Sequence, residues 1–261
     1  MMAGMPLPEP SSPFRWGHAP WGSVLRCDAL TPLAAHVFTA RGLDLPHADA
    51  GAGWAPLAAH LGVSDLRLWR VRQVHGVTAH TADVQPCDGA WPEGDLLATD
   101  RGDVALVVRT ADCVPILYAD ARTGAVAAVH AGWRGTVAGA AGRMVDLLGD
   151  RFGSRAEDLV VAVGPSIGPD AYEVGQEVVD ALAAACPVDL RRGPWWRGTA
   201  TPGKYLLDLW AATRDQLAAA GVRPGNLHVA GLCTATHADV FHSYRVNGTA
   251  AGRMAAAIRR R

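Results

Sequence analysis

Three short segments place reactive side chains at the ends of apolar runs. They are Gln73-Val74-His75-Gly76, Thr110-Ala111-Asp112-Cys113 and His130-Ala131-Gly132-Trp133-Arg134-Gly135. His75, Cys113 and His130 make a His-Cys-His set. Imidazole and thiolate are the borderline-soft donors that zinc prefers, and copper or iron accept them as well. Structural zinc sites close with four protein ligands, whereas three leave a position for water, the catalytic pattern. The expectation is one zinc ion per chain, with copper as the alternative.

The hairpin register supports part of this set. With residues 121–124 as the loop, Tyr118 faces Ala127, Ile116 faces Val129 and Pro115 faces His130. Cys113 lies two residues before Pro115 and so shares its face. Cys113 and His130 are then diagonal neighbours, ~7–8 Å apart at Cα, and two side chains converge on one ion across that span. A slip of one residue would undo the argument. Spacing alone also fits a bland role: cysteine is commonly buried as a small hydrophobe and histidine as a hydrogen-bonded core residue. A third reading makes Cys113 a nucleophile and His130 its base.

Other motifs fail. Gly51-Ala52-Gly53 begins like a dinucleotide loop, but proline stands where the third glycine belongs. Walker A, HExxH and CxxC patterns are absent, and so is the HxE…PCxxC deaminase signature.

The elements that must position these residues read as follows. Segments 66–74, 103–109, 115–120, 125–130 and 159–163 are expected strands. Segments 135–152, 174–185 and 205–220 are expected helices, with a weaker one over 250–258. Residues 186–203 form a Pro/Gly-rich excursion suited to a loop or flap. No stretch looks like a linker, so one α/β or α+β domain over 14–261 is expected, after a loose tail over 1–13. Of the 261 residues 49% are hydrophobic, enough for a large core, and the net charge of −1 offers no basic surface for nucleic acid. No stretch approaches the roughly 20 apolar residues of a membrane span, and the N-terminus has no signal-peptide pattern. A cytoplasmic protein is expected, with its five cysteines reduced.

Together these segments resemble the YfiH family, whose members carry the labels multicopper polyphenol oxidase (laccase), purine nucleoside phosphorylase and peptidoglycan editing factor. The motifs are QVHG (73–76), TADCVPI (110–116), HAGWRG (130–135), GPSIGPDAYEVGQEV (164–178), GKYLLDL (203–209), CT (233–234), FHSYR (241–245) and GRM (252–254), in family order. The N-terminal part departs from the family pattern. Phe38-Thr39-Ala40-Arg41-Gly42 keeps the arginine of a Thr-Arg-x-Gly-Gly stretch, a following Ser-Leu-Asn-Leu-Gly stretch is missing, and His242 stands where phenylalanine is usual.

The resemblance implies mixed β-sheets layered between helices, a fold shared with a bacterial toxin deamidase. It maps a metal onto His75, Cys113 and His130. It implies purine nucleosides and phosphate as partners: phosphorolysis of adenosine, inosine, guanosine and methylthioadenosine, and hydrolytic deamination of adenosine. Deamination needs a proton-shuttling carboxylate, for which Asp112 is the nearest candidate, with a strand-end cap as its other reading. Arg41 and Arg134 are candidates for phosphate or substrate contacts, against ordinary ion pairs. Gln73, Tyr172 and Glu173 are further pocket candidates, and Trp133 could stack on a base or simply pack. Cys233 is read as structural rather than as a fourth ligand. Four coppers would need about ten histidines, largely in His-x-His pairs; the chain has ten histidines and no such pair.

Overall fold

The structure is a computed structural model and describes residues 6–43, 45, 53–82, 91–185 and 195–261. Its core is two sheets. The first runs β1 (Phe14–Ala19), β2 (Gly22–Cys27), β3 (Ala34–Thr39), β15 (Met254–Arg260), β7 (Ala105–Thr110), β4 (Leu68–Trp69). The second runs β14 (Leu227–Val229), β10 (Leu159–Val163), β8 (Val114–Asp120), β9 (Val126–Ala131), β6 (Leu96–Thr99), β5 (Ala79–Thr81). A small third sheet joins β11 (Glu173–Gly175), β13 (Lys204–Leu207) and β12 (Trp196–Gly198).

Period-two alternation explains the layering. Leu106, Val108, Ala256 and Ile258 of the first sheet meet Leu97, Leu117, Val126 and Ala128 of the second in one buried cluster. Their neighbours Ala105, Val107, Ala255 and Ala257 face outward onto Leu57 and Ala58 of α1 (Ala55–His60). The far face of the second sheet, with Leu96, Ile116, Tyr118 and Val129, takes Met144 and Leu148 of α3 (Ala140–Phe152), Leu182 of α4 (Gln176–Ala185) and Leu217 of α5 (Leu209–Ala219). The order is helix, sheet, sheet, helices. Both faces of each sheet are covered, which is why the strands read as continuous apolar runs. The mixed α/β fold is as expected.

Several elements differ from the sequence reading. Segment 250–258 is not a terminal helix. Met254–Arg260 is a central strand paired antiparallel with both β3 and β7. Alanine favours helix, but two rows of ladder bonds and burial on both faces override a propensity of a few tenths of a kcal/mol per residue. Of 66–74 only Leu68–Trp69 is strand. The helix expected over 135–152 is split into α2 (Trp133–Val137) and α3 at Gly139, whose φ of 77° is left-handed. Helix α5 starts at Leu209, because the Asp208 carboxylate caps it by accepting from Ala211 N at 2.8 Å; the residues before it form β13. Likewise β11 precedes α4.

Segment 6–13 contacts the body: Ser11 N donates to Ala230 O at 2.9 Å, and Trp16 Nε1 donates to Pro8 O at 2.7 Å. Most of the expected flap, 186–194, lies outside the described residues. Among the described residues no helix is long and apolar enough to cross a membrane.

Candidate metal centre

The hairpin of β8 and β9 adopts the expected register: Pro115 pairs with His130, Ile116 with Val129 and Tyr118 with Ala127. Cys113 sits one residue before β8, and His130 lies near the end of β9. His75 comes from the loop before β5, and its φ of 62° is left-handed. For a residue with a side chain that conformation costs about 1–2 kcal/mol.

One donor atom from each of His75, Cys113 and His130 lies within 4.8 Å of the others. The two imidazoles meet edge to face, with ring centroids 4.9 Å apart. Donors at 2.0–2.3 Å around a tetrahedral ion are about 3.3–3.8 Å apart, so movement on the order of 1 Å closes the set on zinc. The backbone leaves room for this: a Cβ on Gly132 would lie 2.9 Å from Cys113 Sγ and 3.2 Å from His75 Cδ2. The donor chemistry and the space fit a single borderline-soft ion.

Electrostatics favour a charged pair. Burial pushes the Cys113 thiol up, but the charges and hydrogen bonds of His130 and His75 outweigh it and bring it down to about 6. Burial opposes charge on His130 as well, yet the Cys113 thiolate and the hydrogen bond to Asp95 raise it to about 9. The two shifts describe one thiolate–imidazolium pair.

Asp95, just before β6, was not singled out from the sequence. Its carboxylate is buried and meets His130 Nδ1 at 2.8 Å. It also accepts from the backbone N–H groups of Val74, His75 and Gly76 at 3.2, 3.1 and 2.8 Å. Burial raises its pKa, but the His130 contact and the N–H groups of Gly76 and Val74 hold it below the usual carboxylate range. The only sequence signal was an acid flush against the apolar run Leu96-Leu97-Ala98.

The cluster opens into a cavity of about 720 Å³. Gln73, Asp112, Arg134 and Tyr172 line it. Gln73 also clips β7, its amide exchanging two 2.8 Å hydrogen bonds with the backbone of Arg109. Asp112 sits beyond the end of the strand with φ 89°. Both its oxygens are engaged: Oδ1 accepts from Thr234 Oγ1 and Oδ2 from Arg245 N, each at 2.6 Å. These bonds tie the strand end to two segments distant in sequence rather than capping it locally. The Arg134 guanidinium lies 4.2 Å from the Trp133 ring centroid and covers that face. Burial and the nearby Cys113 thiolate push the Tyr172 hydroxyl up to about 12, so it remains a donor at neutral pH.

Arg41 and Glu173 are exposed and are not among the residues lining the cavity. Arg41 donates to Ala238 O, and Glu173 offers its carbonyl to Arg245 Nη1 at 2.8 Å. Cys233 Sγ accepts from the N–H groups of Gly168 and Thr236, consistent with a structural role. Arg109, Tyr244, Arg245 and Arg253 also line the cavity and were not singled out. Arg245 and Arg253 sit within FHSYR and GRM, motifs whose distance along the chain hid their convergence on the triad.

A helix–sheet–sheet–helix fold carries a His-Cys-His cluster that opens into a cavity lined by arginines. The chain belongs to the multi-copper polyphenol oxidoreductase laccase family, whose model matches residues 48–261. It is 44% identical over 172 residues to the purine nucleoside phosphorylase YlmD of Geobacillus stearothermophilus; the match covers 66% of this chain and 62% of that protein's length. A purine nucleoside phosphorylase of Deinococcus radiodurans is 42% identical over 78% of this chain and 74% of its own. Adenosine deaminase RL5, from an unknown prokaryotic organism, is 37% identical over 78% of this chain and 79% of its own. The crystal structure of YlmD from Geobacillus stearothermophilus superposes with a TM-score of 0.82 at 34% identity, covering 91% of this chain and 96% of that one. The crystal structure of the hypothetical protein YfiH from Bacillus licheniformis gives 0.84 at 27% identity, covering 96% of this chain and all of that one.

Proposed function

We propose that the chain is a zinc-dependent purine nucleoside enzyme that phosphorolyses adenosine, inosine, guanosine and methylthioadenosine and deaminates adenosine. The observation that carries this reading is the convergence of His75, Cys113 and His130 at one end of a cavity rimmed by arginines. The names of the relatives supply the substrate class. His75, Cys113 and His130 hold the ion, which when bound supplies Lewis acidity.

The remaining work falls to the chain's own side chains. In phosphorolysis a phosphate oxygen bonds to ribose C1′, the C1′–N bond breaks, and the purine leaves after taking up a proton. Arg134, Arg245 and Arg253 offset the charge of phosphate. The Tyr172 hydroxyl donates a hydrogen bond to substrate, and the apolar walls of Ile167 and Leu209 exclude water. The partners are thus small molecules, nucleoside and phosphate, and the cation is one zinc rather than a copper cluster. Cys113→Ala is expected to lose bound metal and nucleoside turnover while keeping the fold. A metal-free Cys113→Ala protein that still releases purine base from inosine with phosphate overturns the proposal.

One observation favours a second reading. Cys113, His130 and Asp95 stand in the order of a thiolate, its base and an orienting carboxylate. A cysteine hydrolase would purify without metal and be alkylated at Cys113; stoichiometric metal protecting the thiol excludes it.

A further inference from the structure

We infer that Asp95 is the positioning residue of the metal centre, setting two of its three ligands through a single carboxylate. The inference rests on the metal reading above and extends it to a residue outside the ligand set. Oδ1 is shared between His130 Nδ1 and His75 N, while Oδ2 accepts from the N–H groups of Val74 and Gly76. Successive N–H groups aimed at one anion form a nest, and this nest holds His75 in its left-handed conformation.

The second ligand is fixed differently. With Nδ1 held by Asp95, His130 has only Nε2 left to face Cys113 and His75. The strand backbone adds a further tie, since His130 N donates to Asp95 O at 2.9 Å. Ring tautomer, ring direction and loop conformation therefore all depend on the same side chain. Outer carboxylates of this kind orient metal-binding imidazoles and raise their basicity.

An asparagine cannot replace it. A carboxylate offers two acceptor oxygens, and this one takes four donors. In Asp95→Asn the single amide oxygen keeps part of the nest, while the NH2 group faces an N–H that it cannot accept.

The test compares wild type and Asp95→Asn by zinc competition against a chromophoric chelator, with circular dichroism and thermal unfolding to show that both fold. The expected result is a roughly 10–100-fold weaker zinc affinity. An altered cobalt(II) spectrum should accompany it, because a loop staple alone would not change the ligand field. A folded Asp95→Asn protein with wild-type affinity and spectrum overturns the inference. If the variant does not fold, wild-type protein loaded with cadmium-113 decides by nitrogen-15 NMR. Coupling of the metal to His130 Nε2 is expected, and coupling to Nδ1 overturns the positioning role. A wild type that takes up no metal overturns the metal reading and this inference together; the other outcomes separate them.

Discussion

The space between Cys113 and His75 is kept open by the missing side chain of Gly132. Gly132 has φ −79° and ψ −174°, ordinary extended backbone that alanine also adopts. Gly132→Ala therefore adds a methyl group without backbone strain. That methyl would lie 2.9 Å from Cys113 Sγ and 3.2 Å from His75 Cδ2. Non-bonded contacts relax at about 3.5–4.0 Å, so the sulfur must retreat by about 0.6 Å or more. Metal–ligand distances tolerate only about 0.2 Å. Without metal, the Cys113 sulfur can rotate away and the exposed His75 ring can move aside, so the strain disperses. With metal it cannot, and overpacking costs about 1–3 kcal/mol, a loss of affinity of about five- to 150-fold. Zinc competition with a chelator measures the loss, and thermal unfolding of the metal-free protein checks the scaffold. Zinc affinity within twofold of wild type refutes the reasoning. So does a metal-free stability that falls by the same amount, since the strain would then lie in the fold rather than in the site.

Other outcomes follow from the same geometry. Because His130 titrates at about 9 and Cys113 at about 6 in the metal-free pair, binding between those values displaces the His130 proton. Zinc affinity should rise about tenfold per pH unit across that window, level off above it, and steepen below it where the thiol must also ionise; a flat profile from 6 to 9 contradicts the assignment. Asp112→Asn tolerates the positive φ but leaves a donor facing Thr234 or Arg245 N, and should lower stability by about 1–3 kcal/mol while folded molecules keep most of their turnover. Unchanged thermal stability with turnover abolished would instead make Asp112 a proton shuttle. Ile258→Ala, in the strand between β3 and β7, should cost about 2–5 kcal/mol in denaturant unfolding; a loss below 0.5 kcal/mol would place that segment on the surface.

Local pattern and turn length were enough to read the β8–β9 hairpin. Period-two alternation and a loop of known length set the register, and that register put Cys113 and His130 on one face. His75 entered the set by donor type and strand-end position alone, because spacing along the chain does not say where a loop histidine points; the expected substrate class came from motif resemblance. Tertiary structure decided what depends on neighbours distant in sequence. Met254–Arg260 is strand because β3 and β7 flank it, against the preference of its alanines. Asp112 is an anchor because Thr234 and Arg245 reach it from the far end of the chain. Arg41 and Glu173 lie outside the cavity, while Arg245 and Arg253 line it. The sequence by itself determined the donor types and the hairpin that brings two of them together, both local properties of composition and periodicity. Only the fold decided which carboxylate stands behind the histidines, because Asp95 meets Val74, His75, Gly76 and His130 through contacts that no short window of sequence contains.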